Sequence, residues 1–243
     1  MRILCLHGAG TNARIFELQT DEAAIRYELG DNHTYDFVEG TISWEMYPGV
    51  DRIALKDEAV YAFMDPSRPE TGITAYQHLE EYLLDEGPYD GVIAFSQAAT
   101  MILTYLAHRA QQQQAAPAVP PFKFGIFISI VQPPIDYEAL QRGQITEIRP
   151  EHAKGAVKIP TVHIWGALDE SPSGAARAAD VCSDDVKWVY VHERGHEVPG
   201  AGSRLEVTRI VNRIRRAMET ADDQGDSNNR QLWNGAKEIV AGG

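Results

Sequence analysis

The chain has 243 residues, 44% of them hydrophobic, which is enough for one large domain whose core needs no metal or disulfide staple. Its formal charge of −13 argues against nucleic acid as a partner, because neutralising phosphates takes a basic surface. Cys5 and Cys182 form neither a metal motif nor a disulfide framework, the N-terminal apolar run is too short for a signal segment, and no run reaches the roughly 18 apolar residues of a membrane span. The expectation is a cytoplasmic protein without membrane contact.

The first strand candidate, Arg2–Leu6, is an apolar run that ends at a glycine-rich turn, His7-Gly8-Ala9-Gly10. A helical pattern follows over 13–29 and a second strand at Tyr35–Glu39. Residues 40–72 break the rhythm, with Trp44, Met46, Tyr47, Tyr61, Phe63 and Met64 set among proline, glycine and acidic residues. That stretch reads as a long loop or cap; Trp44, Tyr47, Tyr61 and Phe63 either line an apolar substrate pocket or close the core. Ile73, Tyr76, Leu79 and Leu83 recur at three- and four-residue steps and predict a helix over 73–85.

A strand at Tyr89–Phe95 runs directly into a helix over 97–113, whose end, Gln111–Gln114, passes into a proline-rich connection. Further strands are expected at Phe124–Ile130, Thr161–Trp165 and Lys187–His192, with helices over 173–182 and 203–219. The alternation predicts a mostly parallel sheet with helices on both faces, in one α/β domain over 1–220. Residues 221–243 form a polar C-terminal tail, read as a linker followed by one short docked helix. Arg204, Arg209, Arg213, Arg215 and Arg216 put a basic stripe on the last main helix, either a solvated face or a dock for an acidic partner.

Between strand and helix there is no room for a loop at Ser96, which demands a sharp turn there. In a nucleophile elbow the residues two before and two after the serine must be small, and Ala94 and Ala98 stand in those places. A serine at such a junction is equally well explained as a helix cap. A catalytic serine needs a base and an acid, in the chain order Ser, acid, His. Asp169 lies just past a strand end and is the acid candidate, with Glu170 a rival and helix capping the alternative. His196, on the loop before the last main helix and beside Gly195, is the base candidate; His192 is the runner-up, and His163 falls inside a strand and reads as core. Ala9 and Gln97 are candidates for the two backbone donors of an oxyanion hole. A phosphate-binding role for the glycine-rich turn lacks the lysine of a P-loop and the three-glycine dinucleotide pattern.

The motifs Leu4-Cys5-Leu6-His7-Gly8, Gly87-Pro88-Tyr89-Asp90-Gly91-Val92-Ile93-Ala94-Phe95-Ser96-Gln97, Phe122-Lys123-Phe124, Ile159-Pro160-Thr161-Val162-His163-Ile164-Trp165-Gly166 and Gly195-His196-Glu197-Val198-Pro199 resemble the fungal "family of serine hydrolases". That family is related to the ovarian-cancer-associated serine hydrolase and to stand-alone thioesterases of fungal polyketide clusters. Where this chain has Ala-Phe-Ser-Gln-Ala, the family usually carries glycine at both ends of the motif. The resemblance spans roughly 1–220 and implies an α/β-hydrolase fold, with Ser96, Asp169 and His196 as the triad and neither metal nor organic cofactor. It further implies an ester or thioester substrate, with a polyketide-like or fatty acyl chain and an acyl carrier protein as a possible partner.

Overall fold

A computed structural model describes residues 1–113, 120–200 and 203–241. In chain order the elements are β1 (Arg2–Leu6), α1 (Ala13–Glu22), α2 (Ile25–Leu29), β2 (Thr34–Val38), β3 (Ile42–Ser43), β4 (Tyr61–Ala62), α3 (Pro69–Glu86) and β5 (Gly91–Phe95). There follow α4 (Gln97–Gln113), β6 (Phe124–Ile128), α5 (Tyr137–Gln141), α6 (Pro150–Ala153), β7 (Thr161–Gly166), α7 (Pro172–Ala179), β8 (Lys187–His192) and α8 (Arg204–Ala241). Six strands make one parallel sheet in the order β2-β1-β5-β6-β7-β8, as the alternating pattern predicts.

Side chains alternate between the faces of each strand, and both faces are covered. Leu4, Leu6, Val92 and Ala94 pack against α3 and α4 in one core. Ile3, Cys5, Ile93 and Phe95 face the other way, onto Phe16 of α1 and onto Val207, Ile210 and Ile214 of α8. Both cysteines are buried free thiols, and among the described residues no helix is long and apolar enough to cross a membrane.

Several elements depart from the sequence reading. The helix expected over 13–29 breaks in two, because Ala24 takes a left-handed φ of 55° between α1 and α2. The stretch 40–72 contains the β3–β4 hairpin and the first turn of α3, which starts at Pro69, where proline is favoured at a helix N-terminus. The linker expected after Thr220 is instead a continuation of α8, which runs unbroken through Ala241. Most of the proline-rich connection after Gln113 lies outside the described residues.

Candidate active site

The elbow forms where β5 stops. The Ser96 N–H donates to the Ile128 carbonyl at 2.8 Å, still on the sheet, while the Ser96 carbonyl already accepts from Thr100 N–H in α4. To serve both elements Ser96 takes a φ of 54°, a conformation few non-glycine residues adopt and a recurrent feature of functional turns. Ala94 and Ala98 are completely buried on either side, so their methyl groups are absorbed into the core under α4 and do not displace the turn. Gly8 is the complementary requirement: a Cβ there would lie 2.8 Å from the Phe95 ring and 3.1 Å from Ser96 Cβ.

The acid and base arrive past the ends of β7 and β8, which lie beyond β6 in the sheet. Past β7 and β8 the chains stay paired, Ala167 N–H donating to His192 O at 2.7 Å and Leu168 N–H to Arg194 O at 3.0 Å. Gly166 permits this approach, since a Cβ there would come within 2.0 Å of the Arg194 carbonyl. Arg194 is itself anchored to α8 by an ion pair with Glu206 at 2.6 Å. This brings His196 Nδ1 to 2.8 Å from Asp169 Oδ1, and His196 Nε2 to 2.9 Å from Ser96 Oγ. The His196 ring packs between Phe95 and Tyr47, with ring centroids 5.1 and 5.3 Å away.

Asp169 is buried, which works to raise its pKa, but the bond to His196, that residue's charge, the Glu170 amide and the Ser129 hydroxyl together hold it below the ordinary carboxylate value. It therefore stays ionised, able to keep the Nδ1 proton on His196 and leave Nε2 free to accept from serine. Glu170, the rival acid, instead accepts the Tyr47 hydroxyl hydrogen. His192 is buried, its Nδ1 accepting from Arg194 N–H, and is not brought to Ser96. His163 lies in the core against Phe127.

Gln97 N–H follows the serine directly and Ala9 N–H follows Gly8, which lies against Ser96; among the described residues neither amide donates a hydrogen bond within the fold. The loop carrying Ala9 is fixed from several directions. Gly10 N–H donates to Tyr61 O, Tyr61 N–H to Thr11 O and Tyr47 N–H to Gly10 O, at 2.8 to 2.9 Å. His7 adds a support the sequence reading did not single out: Gly40 N–H donates to its Nε2 at 2.9 Å, so the proton sits on Nδ1, which donates to Gly8 O at 2.8 Å. Burial pushes the His7 pKa down to about 4 and keeps the ring neutral.

The four aromatic residues expected in a pocket are dispersed. Tyr47 covers His196, and Tyr61 holds the Ala9 loop through its backbone. Trp44 is exposed beside Ser43 and Glu45. Phe63 is buried and forms one wall of an apolar cavity between β1, β2 and α3. A second feature missed in the sequence is the Gln97 side chain, whose Oε1 accepts from Phe63 and Met64 N–H at 2.9 and 3.2 Å and whose Nε2 donates to Met64 O at 2.9 Å.

The family described as Serine hydrolase (FSH1) matches residues 1–207. "Esterase FPY3" of Fusarium mangiferae is 35% identical over 202 residues, covering 82% of this chain and 88% of that protein. "Hydrolase phiM" of a fungal species is 28% identical over 228 residues, 90% of this chain and 94% of its own length. Among solved structures, esterase PE8 superimposes with a TM-score of 0.55 at 19% identity, over 89% of this chain and 92% of that one. A Bacillus cereus carboxylesterase does so with a TM-score of 0.52 at 17% identity, over 88% and 87%. At such identities the likeness concerns the fold, which is that of the α/β-hydrolases.

Proposed function

The chain belongs to the FSH1 family of serine hydrolases, and we propose that Ser96, His196 and Asp169 perform its hydrolysis, on an ester or thioester of an apolar acyl group. The observation that carries the reading is the continuous hydrogen-bonded line from Asp169 through His196 to Ser96 Oγ, ending at a serine held in a strained elbow beside two unbonded amides.

Ser96 Oγ attacks the carbonyl carbon as its proton passes to His196 Nε2, and the developing oxyanion is received by the Ala9 and Gln97 amides. Asp169 stabilises the imidazolium. The bond to the leaving oxygen or sulfur then breaks, and that atom takes the proton from Nε2. Water deacylates the enzyme by the same route: it gives a proton to Nε2 as its oxygen attacks, and Ser96 recovers that proton on release.

The names of the fungal relatives support an ester as the first substrate to assay. A thioester carrying a polyketide-like or fatty acyl chain in fungal secondary metabolism is the finer reading. A carrier protein delivering it would be acidic and would meet Arg204, Arg209 and Arg216, since Arg213 and Arg215 already bond to the Val189 and Glu28 carbonyls. Reversing the charges of the exposed three should slow a carrier-bound substrate and spare its small thioester analogue; equal losses on both would remove the carrier from the reading.

Labelling with a fluorophosphonate, followed by intact mass, tests the nucleophile. One label per chain is expected on the wild type, none on Ser96→Ala, and a rate lower by at least about a hundredfold on His196→Ala. A folded wild type that takes no label, or a Ser96→Ala variant that still does, overturns the proposal.

A further inference from the structure

Along the edge of the sheet where the strands end, His196 and the cavity walled by Phe63 lie on opposite sides of Ser96. Ser96 follows β5, His196 comes from beyond β8, and the cavity lies over β1 and β2, at the other end of the order β2-β1-β5-β6-β7-β8. His196 Nε2 must protonate the departing atom, so the leaving group occupies the His196 side of the reacting carbon. The oxyanion occupies the amides of Ala9 and Gln97. The third substituent of the carbon, the acyl chain, is then directed away from His196, and the cavity over β1 and β2 lies on that side of the nucleophile.

The cavity on that side has a volume of about 220 Å³. Leu6, Leu79, Met101 and Phe63 supply apolar walls, and the exposed Glu39 and His78 are also among the lining residues. It adjoins the oxyanion loop and the elbow along three chain segments. Leu6 immediately precedes the His7-Gly8-Ala9 turn, Met101 lies on the helix that Gln97 opens, and the Phe63 backbone is bonded to the Gln97 side chain. A greasy recess in contact with these segments fits neither a phosphate nor a sugar.

We propose that this cavity is the acyl-chain pocket, taking an unbranched alkyl chain or a single ring, and that Tyr47 lines the leaving-group side instead. The inference rests on Ser96 being the nucleophile. An apolar cavity of about 150 Å³ holds benzene, so this one has room for roughly four to six carbons beyond the carbonyl. Each methylene buried there raises reactivity about fourfold until the space is filled.

Two fluorophosphonates differing only in the alkyl group on phosphorus, methyl and hexyl, report on the pocket through their rates of labelling, read by intact mass. The hexyl-to-methyl rate ratio should exceed ten in the wild type. Filling the cavity from α3 with Ala75→Phe, or more mildly with Ala75→Leu, should lower that ratio at least tenfold for Phe and several-fold for Leu. Enlarging it with Leu79→Ala should move the preferred chain to a longer one. An unchanged ratio in a folded Ala75→Phe or Ala75→Leu protein that still labels overturns the pocket and leaves Ser96 as nucleophile. Failure of both probes on folded wild type overturns the nucleophile, and the pocket with it.

Discussion

Tyr47 donates its backbone N–H to Gly10 O at 2.9 Å, packs its ring on His196 and gives its hydroxyl hydrogen to Glu170, next to Asp169. Burial, then the bond to Glu170, push the phenol pKa up, so the hydroxyl stays a donor at every working pH. Tyr47→Phe removes that bond alone and should lower kcat about three- to tenfold, with acyl-chain preference unaltered; a changed chain preference at constant kcat would contradict its placement on the leaving-group side. Asp169→Asn is more severe, because the amide no longer enforces the Nδ1–H tautomer of His196, and kcat should fall about a thousandfold or more. With the pKa of Asp169 held below the ordinary range, its carboxylate stays ionised along the acid limb of the kcat/KM profile, which should have a slope of one. A slope of two would mean that Asp169 also takes up a proton there.

At the scale of elements, the segment over 40–72 reads in the sequence only as a long loop or cap. Its only strands are two residues long each, and it is held by groups distant in the chain, chiefly the Gln97 amide and the backbone of the Ala9 loop. Gln97→Leu would strand two N–H groups and one carbonyl at Phe63 and Met64, at a cost of about 2–3 kcal/mol in stability measured by urea unfolding. An unchanged midpoint would show that the segment does not depend on this side chain. The parallel strands were legible because strands buried on both faces read as continuous apolar runs, and the order Ser96, Asp169, His196 followed from where those runs end. The roles of His7 and Glu170 were not, since a partner such as Gly40 N–H or the Tyr47 hydroxyl leaves no local trace. Nor was the length of α8: a polar stretch with several Asp, Gln and Asn residues has no apolar stripe to announce a helix.

For the molecule as a whole, the burial of histidines links folding to pH, most strongly at His7 and His163. Burial lowers the pKa of His7 to about 4 and that of His163 to about 3, from 6.5. Below about pH 6.5 the unfolded chain takes up these protons and the folded chain does not, so stability falls as pH drops from 7 toward the folded values. Between pH 7 and 5 each should remove about 2 kcal/mol. The carboxylates held lowest, Glu58 and Asp65 at about 2, titrate in the unfolded chain near 4 and act below this window. Relief of self-repulsion in a chain of charge −13 works in the opposite direction, so the comparison must be made between proteins and not along one pH curve. His163→Leu removes one core histidine, two strands along the sheet from β5, and leaves net charge above pH 7 unchanged. Its unfolding free energy should decline less than the wild type's between pH 7 and 5, by about 2 kcal/mol in chemical denaturation. Parallel declines in the two proteins would mean that His163 protonates in the folded core, and that its burial does not make the fold acid-sensitive.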